Sequence, residues 1–323
     1  MQPGLVTTLI PVFNRAAMLR EAVASVLAQT YRPIEVVIVD DGSTDGTGAV
    51  ADALAAAHPE IRVLHQENRG VGLAREAGRL IVRGELIQHL DSDDLLYPRK
   101  FELEVAALRA HPECGAAYGW TRGRWPDGTE STAPERRTSE RFETMFPAML
   151  QSRIWHTQTP LYRASLIERA GSWLSLRNEE DWEYDARIAA FGVRLCHVPE
   201  WLSEMRHHTG ERLSGFGLEP SILRDRAKAH ELILGHAKRA GIGTAAPEMR
   251  HYARELFLLA RQCGAAGLRD ESKRLFDLSR DASGDRANGL QFRLYAALAR
   301  IAGWSAAGKL ATMSDGLRWR RSR

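Results

Sequence analysis

The stretch Ile34-Glu35-Val36-Val37-Ile38-Val39 is almost wholly β-branched and apolar, and it breaks abruptly into Asp40-Asp41-Gly42-Ser43-Thr44-Asp45. A run without polar alternation belongs to a strand covered on both faces, which is the habit of parallel sheets. The same order of short apolar run, polar turn and amphipathic helix occurs four times before residue 110. Residues 6–12 precede a helical face of Leu19, Val23, Val26 and Leu27, and residues 34–39 precede Val50, Ala51 and Leu54. Residues 61–65 precede Leu73, Ala77, Leu80 and Ile81, and residues 86–90 lead through acids to Phe101, Val105 and Leu108. Strand and helix alternating in this way predict an open α/β fold, a Rossmann-like and mostly parallel sheet with helices on both faces. Ligands of such sheets bind beyond the carboxyl ends of the strands. There Asp40 and Asp41, residues 68–75, and Asp91, Asp93 and Asp94 are expected to converge.

The acids at 91–94 carry the first chemical signal. Carboxylates so close repel one another unless a cation or full solvation compensates them. At the end of a strand they are placed to hold a divalent ion against phosphate oxygens, although an acid-rich turn opening the next helix would use the same residues. No G-x-G-x-x-G follows the first strand and no G-x-x-x-x-G-K-[ST] occurs, so a phosphate-cradling loop is not expected. A second acidic centre lies at 178–185. Tyr184, Ile188 and Phe191 follow at helical spacing, so its acids also suit the first turn of a helix.

Size and charge narrow the class. The 323 residues suggest about two domains, and a net charge of +3 does not describe a dedicated nucleic-acid binder. Cys114, Cys196 and Cys263 are far apart and in no ligand spacing, which points to a reducing compartment. No apolar run reaches membrane-spanning length. The expected location is cytoplasmic, with peripheral contact at the inner face of the cell membrane offered by the basic C-terminal segment around Trp319 (Arg318, Arg320, Arg321 and Arg323). A solvated basic tail is the plainer account of that segment.

The middle third suggests an antiparallel hairpin from residues 116–120 through the Asp127-Gly128 turn, then a polar, mobile loop at 130–145 on the acceptor side. A strand is expected at 193–198, followed by Met205-Arg206-His207-His208 and a loop through Gly210, Ser214, Gly215 and Gly217. Beyond Pro220 the pattern becomes helical, with helices expected at 221–239, 247–263, 269–279 and 290–301. The expected division is a domain at 1–218, in halves 1–98 and 99–218, and a helical extension at 219–323.

Five stretches, in order, resemble the family 2 glycosyltransferases, the inverting nucleotide-sugar enzymes of GT-A fold. They are Leu9-Ile10-Pro11-Val12-Phe13-Asn14, Val37 through Asp45, Asn68-Arg69-Gly70-Val71-Gly72-Leu73-Ala74-Arg75, His89-Leu90-Asp91-Ser92-Asp93-Asp94 and Glu180-Asp181-Trp182. The resemblance covers roughly residues 4–215. It implies that Pro11, Phe13, Asn14, Asp40, Asp41, Arg75 and Asp91 hold the nucleotide. It makes Asp93 the principal carboxylate for Mn²⁺ or Mg²⁺, assisted by Asp91 and by His207, taken in preference to its neighbour His208. Asp181 becomes the catalytic base, with Glu180 orienting the acceptor or supporting the helix start, and the register among Glu179, Glu180 and Asp181 rests on that resemblance. The implied donor is a nucleotide-diphosphate sugar, a UDP-sugar ahead of the dTDP and GDP kinds. The implied acceptor is a hydroxyl of a glycan or lipid-linked saccharide in surface polysaccharide synthesis, and self-association is left open. The competing reading is a catalytically silent nucleotide-sugar or glycan-binding protein, which would not need a base.

Overall fold

The computed structural model describes residues 1–208 and 218–321. Two compact units divide the chain. The first comprises Met1–Met145, Arg153–Ser175 and the described residues 191–208. The second comprises Phe146–Ser152, Leu176–Ala190 and the described residues 218–321.

The first unit is built on one eight-stranded sheet. Its strands are β1 (Gln2–Val12), β2 (Ile34–Asp40), β3 (Ile61–His65), β4 (Gly84–His89), β5 (Leu95–Leu96), β6 (Cys114–Arg124), β7 (Pro160–Arg163) and β8 (Arg194–Arg206). Their order across the sheet is β3-β2-β1-β4-β7-β6-β8-β5. The first four run parallel, with β2 and β1 from Leu5 onward buried on both faces, as is usual for inner strands of a parallel sheet. β7 is antiparallel to β4 and β6, while β6 and β8 are parallel.

Helices α1 (Ala16–Leu27), α2 (Thr47–Ala57), α3 (Val71–Arg79), α4 (Lys100–Ala110) and α5 (Ala164–Ala170) complete the unit. One sheet face buries Val6, Ile10, Val36 and Ile38 in the same core as Leu19 and Val23 of α1 and Phe101 of α4. On the other, Leu9, Val37 and Val39 meet Ala74 of α3. Alternate residues of β1 and β2 thus feed opposite cores, and each such side chain removed from water contributes about 1.5–3 kcal/mol.

Register sets the ends of the strands. Val12 pairs with Asp40, and Leu9 with His89, so the loops after β1, β2 and β4 leave the same edge of the sheet. Gly42 makes the turn after β2 feasible. Its φ is +78°, and a Cβ there would meet the Asn68 backbone nitrogen at 2.7 Å.

Three sequence expectations change here. The hairpin at 116–128 is instead one eleven-residue strand, β6, whose partners β7 and β8 are distant in sequence. The chain does turn back at Asp127-Gly128, but the return is short and irregular, with an antiparallel bridge between Arg124 and Glu130 and Ser131 N donating to Gly123 O at 2.8 Å. Residues 130–145 are tied to β6, since Glu135 N donates to Thr121 O at 2.8 Å and Tyr118 OH to Glu140 O at 2.7 Å. The strand expected at 193–198 continues to Arg206, where Leu202 and Ser203 are buried.

The second unit is helical. Its helices are α6 (Glu180–Ala189), α7 (Pro220–Arg239), α8 (Pro247–Ala265), α9 (Arg269–Ser283), α10 (Leu290–Ala302) and α11 (Trp304–Arg321). Both α7 and α8 open on proline, whose missing N–H costs nothing in a first turn. Tyr252, Leu256 and Phe257 of α8 and Leu275 and Phe276 of α9 form its centre. At the α8–α11 crossing, a Cβ on Gly308 would meet Ala265 N at 2.4 Å, so this backbone approach depends on glycine. α11 occupies a stretch expected to be a tail.

Candidate active site

In the first unit the strand-end loops are bonded to one another. Asn14, with φ +51°, does not cap α1. Its N–H donates to Ser43 Oγ at 3.0 Å and its Oδ1 accepts from Thr44 N at 2.7 Å. That clasps the turn after β1 to the turn after β2. Pro11 is buried in β1 opposite Val39, while Phe13 is exposed beyond the strand end.

Asp40 and Asp41 are both buried but engaged differently. Asp41 accepts from Gln66 Nε2 at 2.6 Å, Arg69 N at 2.9 Å and Gly70 N at 2.8 Å, which fixes the turn into α3. Asp40 accepts from Ser43 N at 3.1 Å and faces His65 Nδ1 at 3.0 Å. Bonds to Asp52 and then Asp40 raise the His65 pKa above its ordinary value.

The acidic cluster after β4 is threaded with cations. Arg75, buried on α3, donates to Asp91 Oδ1 at 2.6 Å, and its guanidinium carbon lies 4.9 Å from the Trp173 ring centre. Asp93 Oδ2 is met by the Arg15 guanidinium and by His208 Nε2 at 2.8 Å. Burial pushes the Asp93 carboxyl up, but Arg15 and His208 outweigh it and hold the pKa below the usual carboxylate value. Asp94 goes the other way. Burial, then the charges of Asp93 and Asp91, push it well above the usual range, although Arg206 N donates to its Oδ1 at 2.9 Å. The three acids thus divide their roles. Asp91 is locked to α3, Asp94 secures the end of β8, and Asp93 presents a half-buried charge.

Among the predicted residues, the structure brings Arg75 to Asp91 and His208 to Asp93. His207 is elsewhere, stacked on Trp125 at a 4.5 Å centroid separation. Arg15 and Trp173 were not foreseen. Arg15 is one of many arginines in the sequence, and nothing in its spacing marks it. The predicted loop residues Gly210, Ser214, Gly215 and Gly217, and Arg323 of the tail, lie outside the described residues.

In the second unit, Glu179 to Glu183 open α6. Glu179, with φ +63°, faces Arg226 Nε and His230 Nε2 of α7, each at 2.9 Å. Burial raises its pKa, but His230 and Arg226 bring the net shift below the ordinary value. Glu183 is similarly held by His236 Nε2 at 2.8 Å and by Arg187. Both acids therefore fasten α6 to α7 or to its own next turn. Glu180 is buried, and Asp181 is half-buried with Oδ1 accepting from Trp182 N at 2.7 Å. The Trp182 indole donates to Met149 O at 3.2 Å and sits edge-on to His230. This framework fixes the first turn that carries Asp181.

Among the described residues, no group of three or more His, Cys, Asp and Glu side chains forms a ready metal cage. The Asp93–His208 pair nevertheless fits a divalent ion whose remaining ligands are phosphate oxygens and water, the usual arrangement when a nucleotide brings the metal. One oxygen and one imidazole donor suit Mn²⁺ better than Mg²⁺, which prefers oxygen alone.

The family described as Glycosyl transferase family 2 matches residues 7–170. The chain belongs to that family. Glycosyltransferase GlyG of Streptococcus pneumoniae serotype 4 is 40% identical over 99 residues. That match takes in 30% of this chain and 33% of GlyG, so the chain spans about a third of that relative's length. Among solved structures, S. aureus TarS 1–349 in complex with UDP-GlcNAc superposes with a TM-score of 0.70 at 17% identity, covering 96% of this chain and 92% of that 1–349 chain. The mannosyltransferase PcManGT of Pyrobaculum calidifontis, in complex with GDP-Man and Mn²⁺, gives 0.53 at 22% identity, covering 97% and 86%. At these identities the likeness shows the fold, the GT-A arrangement expected from the sequence motifs. No helix among the described residues is long and apolar enough to cross a membrane.

Proposed function

We propose that this family 2 member is a metal-dependent, inverting glycosyltransferase that moves a sugar from a nucleotide-diphosphate donor to an acceptor hydroxyl. The observation that carries the reading is the Asp93 carboxylate at the end of β4, with His208 at 2.8 Å on one of its oxygens. A carboxylate and an imidazole offered together at a strand end suit a metal-bridged diphosphate. That TarS is seen with UDP-GlcNAc and PcManGT with GDP-Man and Mn²⁺ supports the same chemistry on this fold.

In this reading Pro11, Phe13 and Asn14 line one side of the nucleotide and Asp40 the other, while Asp41 holds the adjoining turn into α3. Arg75 fixes Asp91, which would face the ribose and the metal side of the site. Asp93 and His208 would hold Mn²⁺, or Mg²⁺ less well, and the Arg15 guanidinium beside Asp93 would help balance the charge of the diphosphate. When bound, the metal supplies charge neutralisation for the departing diphosphate. Asp181 accepts the proton of the acceptor hydroxyl as that oxygen attacks the anomeric carbon from the face opposite the leaving group, and the configuration inverts. Glu180 supports that turn. A UDP-sugar is the preferred donor, and a glycan or lipid-linked saccharide the acceptor.

The test is donor hydrolysis across UDP-, dTDP- and GDP-sugars, with Mn²⁺ added or chelated. Release of nucleotide from one donor, dependent on metal, is the expected result. Unchanged turnover after chelation would reject the role of Asp93. Tight donor binding without turnover, in the presence of saccharide acceptors, would favour the silent binding protein.

A further inference from the structure

Sequence and structure single out the last helical stretch of the second unit for a reason unrelated to the sheet-edge acids. From Arg286 to Ser314 the chain carries Arg286, Arg293, Arg300 and Lys309 and no acidic residue, whereas the whole sequence holds 41 Asp and Glu. Five of the ten large hydrophobic side chains left exposed among the described residues fall in the same stretch: Leu290, Leu294, Ile301, Leu310 and Met313. Leu290, Leu294 and Ile301 stand at positions i, i+4 and i+11, so they share one face of α10. They are 70%, 61% and 83% exposed, while Tyr295 and Ala299 of the opposite face are buried in the unit.

The N-terminal end of that face opens on a cavity of about 450 Å³. Phe257, Leu290 and Leu294 give it an apolar lining, and Arg250, Arg254 and Arg286 surround that lining. Among the described residues no carboxylate forms an ion pair with Arg254, Arg286, Arg293 or Arg300. A folded chain with as many acids as this one could neutralise exposed arginines cheaply, yet here it leaves them unpaired beside uncovered leucines. Apolar bulk ringed by uncompensated guanidinium groups complements a surface that is negatively charged outside and hydrocarbon within.

We propose that the α10 face and the cavity beside it form a docking surface for an anionic lipid bilayer. The arginines bind lipid phosphates, Leu290, Leu294 and Ile301 enter the interface, and the cavity accepts part of an acyl chain. The proposal is distinct from any role of the basic segment at 318–323, and it does not rest on the transfer reaction.

Flotation of the full chain with vesicles tests it. Binding is expected to vesicles of phosphatidylglycerol with phosphatidylcholine, and not to phosphatidylcholine alone. Leu290→Glu with Leu294→Glu should weaken partitioning by about tenfold or more, since each leucine forfeits its transfer to the interface. Arg254→Gln and Arg286→Gln should each weaken it by about fivefold. Because the side chains are exposed, melting temperatures should match the parent. Should the glutamate pair melt lower, Leu290→Ser with Leu294→Ser gives the same reading without added charge. Replacing Arg318, Arg320, Arg321 and Arg323 by glutamine should leave most of the binding. Equal binding to neutral vesicles, undiminished binding of both leucine pairs, or complete loss on neutralising only the terminal arginines would each overturn the proposal. So would light scattering that shows a lipid-independent dimer dissolved by the leucine substitutions, because the occupant would then be a second copy.

Discussion

His208 Nε2 lies 2.8 Å from Asp93 Oδ2, although 115 positions separate the two residues in the chain. Its neighbour His207 stacks on Trp125, and its N–H donates to Arg124 O at 2.7 Å as a continuation of the β6–β8 pairing. The two imidazoles therefore have separable tasks. His208→Ala should weaken Mn²⁺ binding in the presence of UDP by about tenfold or more, and His207→Ala by less than about twofold. Calorimetric titration with Mn²⁺ measures both, and a larger loss from His207→Ala would reverse the assignment.

The doublet illustrates what the sequence could not provide. At a strand end adjacent side chains point to opposite faces, so one histidine meets the acids and the other does not. Which one depends on how far β8 runs, and its continuation past residue 198 is carried by long-range pairing with β6. The buried runs of β1 and β2 were legible because nearly continuous, largely β-branched sequence leaves little else to form, and β4 was legible as a short apolar run that ends in acids. The five motif stretches were legible through order and spacing. Two-residue β5 carries no periodicity, and Arg15 is chemically indistinguishable from arginines that merely face solvent. Glu179, Glu180 and Asp181 look equivalent in sequence, and only the α7 partners Arg226 and His230 set Glu179 apart.

Arg75 joins α3 to the loop after β4 through Asp91 and packs on Trp173. Lysine keeps the charge but loses the planar stacking group and its directional donors. Arg75→Lys should raise the KM for donor by about tenfold and lower stability by about 1–2 kcal/mol. Steady-state kinetics with a urea melt checks both, and unchanged donor KM would remove Asp91 from the donor site.

Gly42 and Gly70 both have positive φ, but only Gly42 is crowded. A methyl group added at Gly42 would lie 2.7 Å from Asn68 N, whereas one at Gly70 would meet nothing within 4 Å. Gly70→Ala should cost about 1 kcal/mol from backbone strain. Gly42→Ala should cost at least about 2–3 kcal/mol, because the turn after β2 must also shift away from the Asn68 backbone. Equal urea midpoints for the two variants would show that the turn yields freely.

Glu183 is buried, and although that desolvation raises its pKa, His236 and Arg187 bring the net value below the ordinary 4.5. A depressed folded pKa binds fewer protons than the unfolded chain, so its stabilisation is present above pH 4.5 and is lost as pH falls through the folded value. Glu183→Gln should cost about 2–4 kcal/mol at pH 7, with the gap to the parent narrowing steadily below about pH 4.5. Urea unfolding across that range measures it, and a gap independent of pH would contradict the ion pair.

Asp181→Asn keeps the size of the side chain and removes only its capacity to take a proton. Turnover and donor affinity are measured together on the hydrolysed nucleotide sugar in Mn²⁺. The account predicts turnover reduced by about 10²–10⁴-fold with the donor dissociation constant within about twofold of the parent. Full turnover by Asp181→Asn would contradict it.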